Sequence, residues 1–130
     1  MEIALNKGVN GIYQKEIAKN QDISYKYLDQ ILSALKASGL IAKAKGRKSG
    51  YVLTRDPSEI TVYDVHRAFE PGICVIDCLA LNFSCDREKN CALRGFWKDL
   101  NDQITGYLKS TTVKDLMLKQ VQLEGSTSPE

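Results

Sequence analysis

The sequence predicts a mainly α-helical fold that carries one small β-hairpin wing and, behind it, a long amphipathic helix. Three patterns predict it. Leu28, Ile31, Leu32 and Leu35 repeat at i, i+3, i+4, i+7, the spacing of one buried helical stripe. Residues 40–45 and 51–54 are short β-prone stretches on either side of a turn, 46–50, that begins and ends with glycine. A second and longer stripe runs through Leu93, Trp97, Leu100, Ile104, Tyr107 and Leu108.

Taken in order, residues 3–5 read as the tail of a helix that the Gly/Asn-rich turn at 6–11 ends. Residues 13–20 give a short helix with Ile17 and Ala18 inward, and a turn at 20–23 follows. Ser24 is a good N-cap for the next helix, which Gly39 stops. Its outer face carries Tyr25, Lys26, Asp29, Gln30, Ser33 and Lys36. Two short helices joined by a tight turn, the second capped and amphipathic, form a helix-turn-helix pattern, which any small helical bundle can also show. The hairpin that follows favours a winged helix-turn-helix, with Lys45, Arg47 and Lys48 at or near its tip, where long cations reach phosphates or a minor groove. A charged tip kept only for solubility would look the same.

Residues 56–59 turn around Pro57, and Thr61 caps a helix with Val62, Val65, Ala68 and Phe69 inward before Pro71 and Gly72 end it. Residues 73–91 hold all the cysteines and have no sustained period. The long helix starts at Ala92, and the N-terminal half offers too small a core to cover its whole stripe, so a second copy of the same helix is the expected cover. Thr111 or Thr112 caps a last short helix expected to end near Met117. The predicted organisation is a winged helix-turn-helix over 1–72, a cysteine-rich loop over 73–91, a dimerisation helix and short C-terminal helix over 92–118, and a disordered tail over 119–130.

With 130 residues the chain is long enough for one compact domain plus an appendage and too short for two independent cores. Its apolar runs fall far short of a membrane span and no secretion signal opens it, so a cytoplasmic protein with no membrane partner is expected. The net charge of +2 conceals a division: residues 1–55 carry ten Lys or Arg against four Asp or Glu, while residues 56–130 carry eight against twelve. Lys36, Lys43, Lys45, Arg47, Lys48 and Arg55 succeed one another with no acidic residue between them, the footprint of a surface facing a polyphosphate or simply of a solvated charged face. One histidine and no paired nucleophile and base leave catalysis without a constellation, so no enzyme is expected.

The four cysteines are Cys74, Cys78, Cys85 and Cys91. In a chain without a secretion signal they read as metal ligands or redox thiols rather than as a disulfide framework. Thiolates are soft donors that suit iron-sulfur clusters and zinc. The C-x6-C-x5-C spacing from Cys78 is wider than zinc knuckles use, although zinc held by all four thiolates stays open. Three thiolates would need a fourth ligand, with Cys74, Asp77, Asp86 and Glu88 as nearby candidates. His66 sits beside an apolar stripe and reads as an exposed or hydrogen-bonded structural histidine.

The segments EIAKNQDISYKYLDQILSALKASGLI, GRKSGYVLTRDPSEITVYDVHRAFE and CALRGFWKDLNDQITGYLKSTTVKDLM, with the three-cysteine spacing, resemble the Rrf2 family of bacterial winged-helix transcription regulators, which includes iron-sulfur and nitric-oxide sensors. The resemblance runs from about Met1 to Met117. It implies a homodimer on a double-stranded DNA operator, with the helix beginning at Ser24 in the major groove and the wing at the minor groove. It also implies a 2Fe-2S cluster on Cys78, Cys85 and Cys91, base-reading roles for Lys26 and Asp29, and a basic wing role for Lys45. Three departures stand out. Arg94 occupies the place of a cluster-ligating histidine, and a guanidinium is not a metal ligand. Relatives begin with about one more helix than residues 1–5 supply. The wing, GRKSGY, is poorer in glycine than is usual.

Overall fold

The computed structural model describes residues 1–130 except Lys7, Arg47, Lys48, Val75, Asp77, Cys78, 80–84 and 127–130. The elements in order are α1 (Glu2–Leu5), α2 (Gln14–Asn20), α3 (Tyr25–Ala37), β1 (Ile41–Lys43), β2 (Tyr51–Leu53), α4 (Val62–Arg67), α5 (Ala92–Ser110) and α6 (Val113–Gly125). Short 3₁₀ turns occupy Pro57–Glu59 and Glu88–Asn90.

Local chemistry sets most boundaries. The Ser24 hydroxyl accepts from the Tyr27 backbone N–H at 3.1 Å and opens α3. At its other end Gly39 takes φ +80, and the Leu40 N–H reaches back to the Leu35 carbonyl at 3.1 Å. That pattern satisfies the last helix carbonyls and turns the chain into β1. Thr61 with Asp64, and Thr112 with Asp115, close reciprocal capping boxes that start α4 and α6.

The hairpin is antiparallel, with Ile41 opposite Leu53 and Lys43 opposite Tyr51. Its strands are shorter than the β-prone stretches: the Leu40 N–H is spent on the turn closing α3, and beyond Lys43 only the Ala44 N–H still pairs across the hairpin, with the Gly50 carbonyl at 2.9 Å. A third strand-like contact is added by the linker after α1: Ile12 and Tyr51 exchange backbone hydrogen bonds of 3.1 and 2.8 Å. This weld carries the wing on the helix-turn-helix, and the sequence showed only a turn there.

The core gathers where α2, α3, the hairpin and α6 meet: Ile12, Ile17, Leu28, Leu32, Leu40, Ile41, Tyr51, Ile60 and Val113 are buried together. Each such aliphatic side chain contributes about 1.5–3 kcal/mol by leaving water. Leu28 and Leu32 form the buried centre of the predicted α3 stripe, flanked by half-buried Ile31 and Leu35. Phe69, expected inward, is exposed, because α4 ends at Arg67 and its period does not extend that far.

α6 corrects the C-terminal reading. The expected helix end near Met117 and tail from 119 give way to helix through Gly125. Residues 118–124 are good helix formers apart from Val121, the capping box secures its start, and α6 packs on the 3₁₀ turn before α4 and on α1. Backbone bonds from Val62 N–H to Thr111 at 2.9 Å and from Val113 N–H to Ile60 at 2.8 Å fasten the α5–α6 junction to the start of α4. Lys109 covers the Tyr63 ring at 4.7 Å, adding a cation–π contact between α5 and α4. Among the described residues no helix is long and apolar enough to cross a membrane.

Candidate nucleic-acid interface and cysteine segment

The first turns of α3 present their polar side to solvent. Tyr25, Lys26, Tyr27, Asp29 and Gln30 are all exposed, as is the cap residue Ser24. The buried stripe at Leu28 and Leu32 fixes which side of the helix faces outward, so this polar face follows from the core. Gln14, which sequence reasoning did not single out, braces the face from α2: its side-chain amide donates to Asp29 Oδ1 at 3.3 Å and to the Tyr25 carbonyl at 3.4 Å. A polar residue at the first helical position of the preceding helix was the only signal for it. Lys45 is exposed on the hairpin, and Lys43 sits over the Tyr51 ring at 5.4 Å. Arg47 and Lys48, predicted at the tip, lie outside the described residues.

α5 has no buried residue along its whole length. Trp97, Leu100, Ile104 and Leu108 are half-buried, whereas Leu93 and Tyr107 are 67% and 72% exposed. Phe96, missed in the predicted stripe, is also exposed and meets Trp97 edge-on with ring centroids 5.2 Å apart. One chain therefore covers one edge of the stripe and leaves Leu93, Phe96 and Tyr107 in water.

The cysteine segment is described in part. Cys78 lies outside the described residues. Cys74 is exposed and its thiol donates to the Ile76 carbonyl at 3.0 Å; Cys85 is exposed; Cys91 is half-buried at the N-cap of α5. Among the described residues no group of three or more His, Cys, Asp or Glu converges as a metal site. His66 faces the Gly72 carbonyl through Nε2 at 3.4 Å, in keeping with a hydrogen-bonded structural histidine. Arg94, on the first turn of α5, reaches back to Glu88 with Nη2 to Oε1 at 2.9 Å. Its Nε is buried and has no hydrogen-bond partner among the described residues. A buried donor left in that state costs about 1–3 kcal/mol, and more for a charged group. In chemistry alone, soft cysteine thiols on either side of the Glu88–Asn90 turn, with the cationic Arg94 on the turn after Cys91, suit an anionic iron-sulfur centre.

A helix-turn-helix with a hairpin wing and an exposed polar second helix defines the class: a winged-helix DNA-binding transcription regulator. A family model described as "Rrf2: Iron-dependent Transcriptional regulator" matches residues 1–119. The HTH-type transcriptional regulator IscR of Escherichia coli K12 is 31% identical over 126 residues, which cover 97% of this chain and 77% of that protein. Among solved structures, T. potens IscR matches with a TM-score of 0.70 at 29% identity, covering 98% of this chain and 82% of that one. CymR, the global cysteine regulator of B. subtilis, matches with a TM-score of 0.69 at 31% identity, covering 88% and 84%. An oxidized form of Staphylococcus aureus CymR matches with a TM-score of 0.67 at 30% identity, covering 88% and 82%. The chain belongs to the Rrf2 family of transcription regulators. These relatives are regulators and not enzymes, in agreement with a sequence that offers no catalytic constellation.

Proposed function

We propose that the protein is a cytoplasmic, homodimeric regulator, acting as a repressor, whose grip on a palindromic operator is set by the state of its cysteine segment. The observation that carries the DNA-reading half is the exposed N-terminal face of α3, braced by Gln14 and set in the cationic half of the chain. On this reading Lys26 serves guanine or phosphate and Asp29 accepts from a cytosine amino group, while Ser24, Tyr25 and Gln30 contact the duplex around them. Lys45, with Arg47 and Lys48, meets the neighbouring backbone or minor groove. Leu93, Trp97, Leu100, Ile104, Tyr107 and Leu108 bury against the same helix of a second copy, which sets the spacing of two reading helices one turn of DNA apart.

Cys78, Cys85 and Cys91 are the residues that would hold a 2Fe-2S cluster, with Cys74 as an additional candidate. Such a cluster, when bound, supplies an iron centre responsive to redox state and to nitric oxide. The chain's own part is mechanical: the segment runs directly from α4, which packs beside α5, into α5 itself, so any change in how its thiolates are held is delivered to the helix proposed to set the dimer. A second reading, a reversible thiol switch without iron, is supported by one observation: a solved relative is an oxidized form of CymR.

Anaerobic purification separates the readings. A brown protein with iron and acid-labile sulfide supports the cluster. A colourless, metal-free protein that loses two hydrogens per reversible disulfide supports the switch, and a colourless zinc protein defeats both. Gel-shift binding to its own promoter, lost when Lys26 and Lys45 are changed to Ala, tests the DNA half; absence of sequence preference in every loading state would defeat it.

A further inference from the structure

The least expected residue near the cysteines is Arg94. It occupies the third helical position of α5, whose first turn contains no acidic residue and whose N-cap, Cys91, makes no side-chain capping bond. A cation is disfavoured there by the helix dipole. Side chains on a helix lean toward its N-terminus, and Arg94 extends that way far enough to pair with Glu88, six residues earlier. In doing so it spans the turn that carries Cys91, its neighbour at i−3. Cys85 is tied to the same structure, since its carbonyl accepts from the Glu88 N–H at 3.1 Å. The Glu88–Arg94 pair thus closes a clasp over Cys91, and the Glu88 N–H ties that clasp to Cys85. The guanidinium is only half satisfied by it: Nη2 has the carboxylate, and buried Nε has no acceptor among the described residues.

We propose that Arg94 is a positioning and charge-compensating residue of the cysteine centre, donating from Nε to an anionic sulfur carried by Cys91 or its cluster, with Glu88 holding the guanidinium in place. This rests on the iron-sulfur reading given above. The guanidinium is not a ligand. It stands where the family resemblance leads one to expect a ligating histidine, and it lowers the energy of the more negatively charged state of the centre instead of binding iron. Hydrogen bonds to the sulfurs and local charge are among the factors that set the potential of such clusters.

The test is a reductive titration of the full chain, loaded anaerobically with ferrous iron and sulfide, followed by visible absorption with dithionite as reductant. Loss of iron to a chelator is timed on the same samples. Arg94→Leu is expected to disfavour the reduced cluster about tenfold, roughly 59 mV for a one-electron couple, and to release iron faster. Arg94→Lys, which keeps the charge and loses the fixed Nε donor, is expected to recover part of both. Glu88→Gln removes a negative charge and is expected to move the potential in the opposite direction from Arg94→Leu, a sign reversal that a merely structural role would not produce. If Arg94→Leu cannot be loaded, the lysine and Glu88→Gln arms still decide the sign. A loaded wild type whose potential is unchanged in all variants, or moved the same way by Arg94→Leu and Glu88→Gln, overturns the role of Arg94 and leaves the cluster reading standing. A wild type that takes up no cluster overturns both.

Discussion

The weld between the wing and the helix-turn-helix is the most exacting packing constraint in the fold, and Gly50→Ala tests it. A Cβ at residue 50 would lie 2.5 Å from the Ile12 carbonyl oxygen and 2.7 Å from its nitrogen, and these are backbone atoms that cannot swing aside. The two segments would have to separate, stretching three backbone bonds: Gly50 N–H to Asn10 at 2.6 Å, and the Ile12 and Tyr51 pair at 3.1 and 2.8 Å. At about 1 kcal/mol net for each bond, the loss is about 3 kcal/mol, within the range for overpacking a filled site. For a chain of this size that is roughly a 10 °C fall in Tm. Gly39→Ala is the control: its φ is +80 but nothing lies within 4 Å of the added carbon, so it meets only the left-handed backbone penalty of about 1–2 kcal/mol. Thermal melts followed at the helical circular dichroism band, with denaturant midpoints, compare the two. Gly50 lies outside the left-handed region, so a Gly50→Ala protein as stable as wild type would refute the reasoning, because the close approach would then cost nothing.

Leu93→Glu and Tyr107→Glu place charges on side chains that one chain leaves in water, so each is expected to preserve helical content. Both should weaken self-association by at least about tenfold, or ~1.4 kcal/mol; an unchanged mass distribution in sedimentation velocity would remove α5 from the interface. Two carboxylates carry an acid dependence. The Ser58 hydroxyl and backbone N–H hold Asp56 below the usual carboxylate range, and the Thr112 backbone N–H and side chain do the same for Asp115. Because each folded value lies below the unfolded one, its stabilisation is complete above the ordinary carboxylate range and is lost as pH falls through the lowered value. The stability gap between wild type and Asp56→Ala or Asp115→Ala should therefore narrow with acidification in denaturant titrations, and a gap independent of pH would contradict this origin.

The residues of the chain determined much on their own. Periodicity at Leu28, Ile31, Leu32 and Leu35 fixed a helix and its buried side, and so also the outward face at Lys26 and Asp29; Ser24 and Thr61 announced helix starts, and Thr111 or Thr112 a third that the structure assigns to Thr112, because capping is a local bond between near neighbours. The unbroken apolar stripe of α5 announced a surface in need of a cover, and the single chain does leave Leu93 and Tyr107 exposed. The sequence could not announce contacts between distant segments. The Ile12–Tyr51 weld, the Gln14 brace on Asp29 and the Glu88–Arg94 clasp join residues whose types carry no periodic or capping signal for the pairing. The length of α6 escaped for another reason: residues 121–126 are exposed, so no apolar stripe marks the helix as far as Gly125, although the composition there can sustain it. Local propensity and a one-sided apolar pattern can be read along a chain, whereas a contact between segments exists only once the core has fixed their distance and orientation.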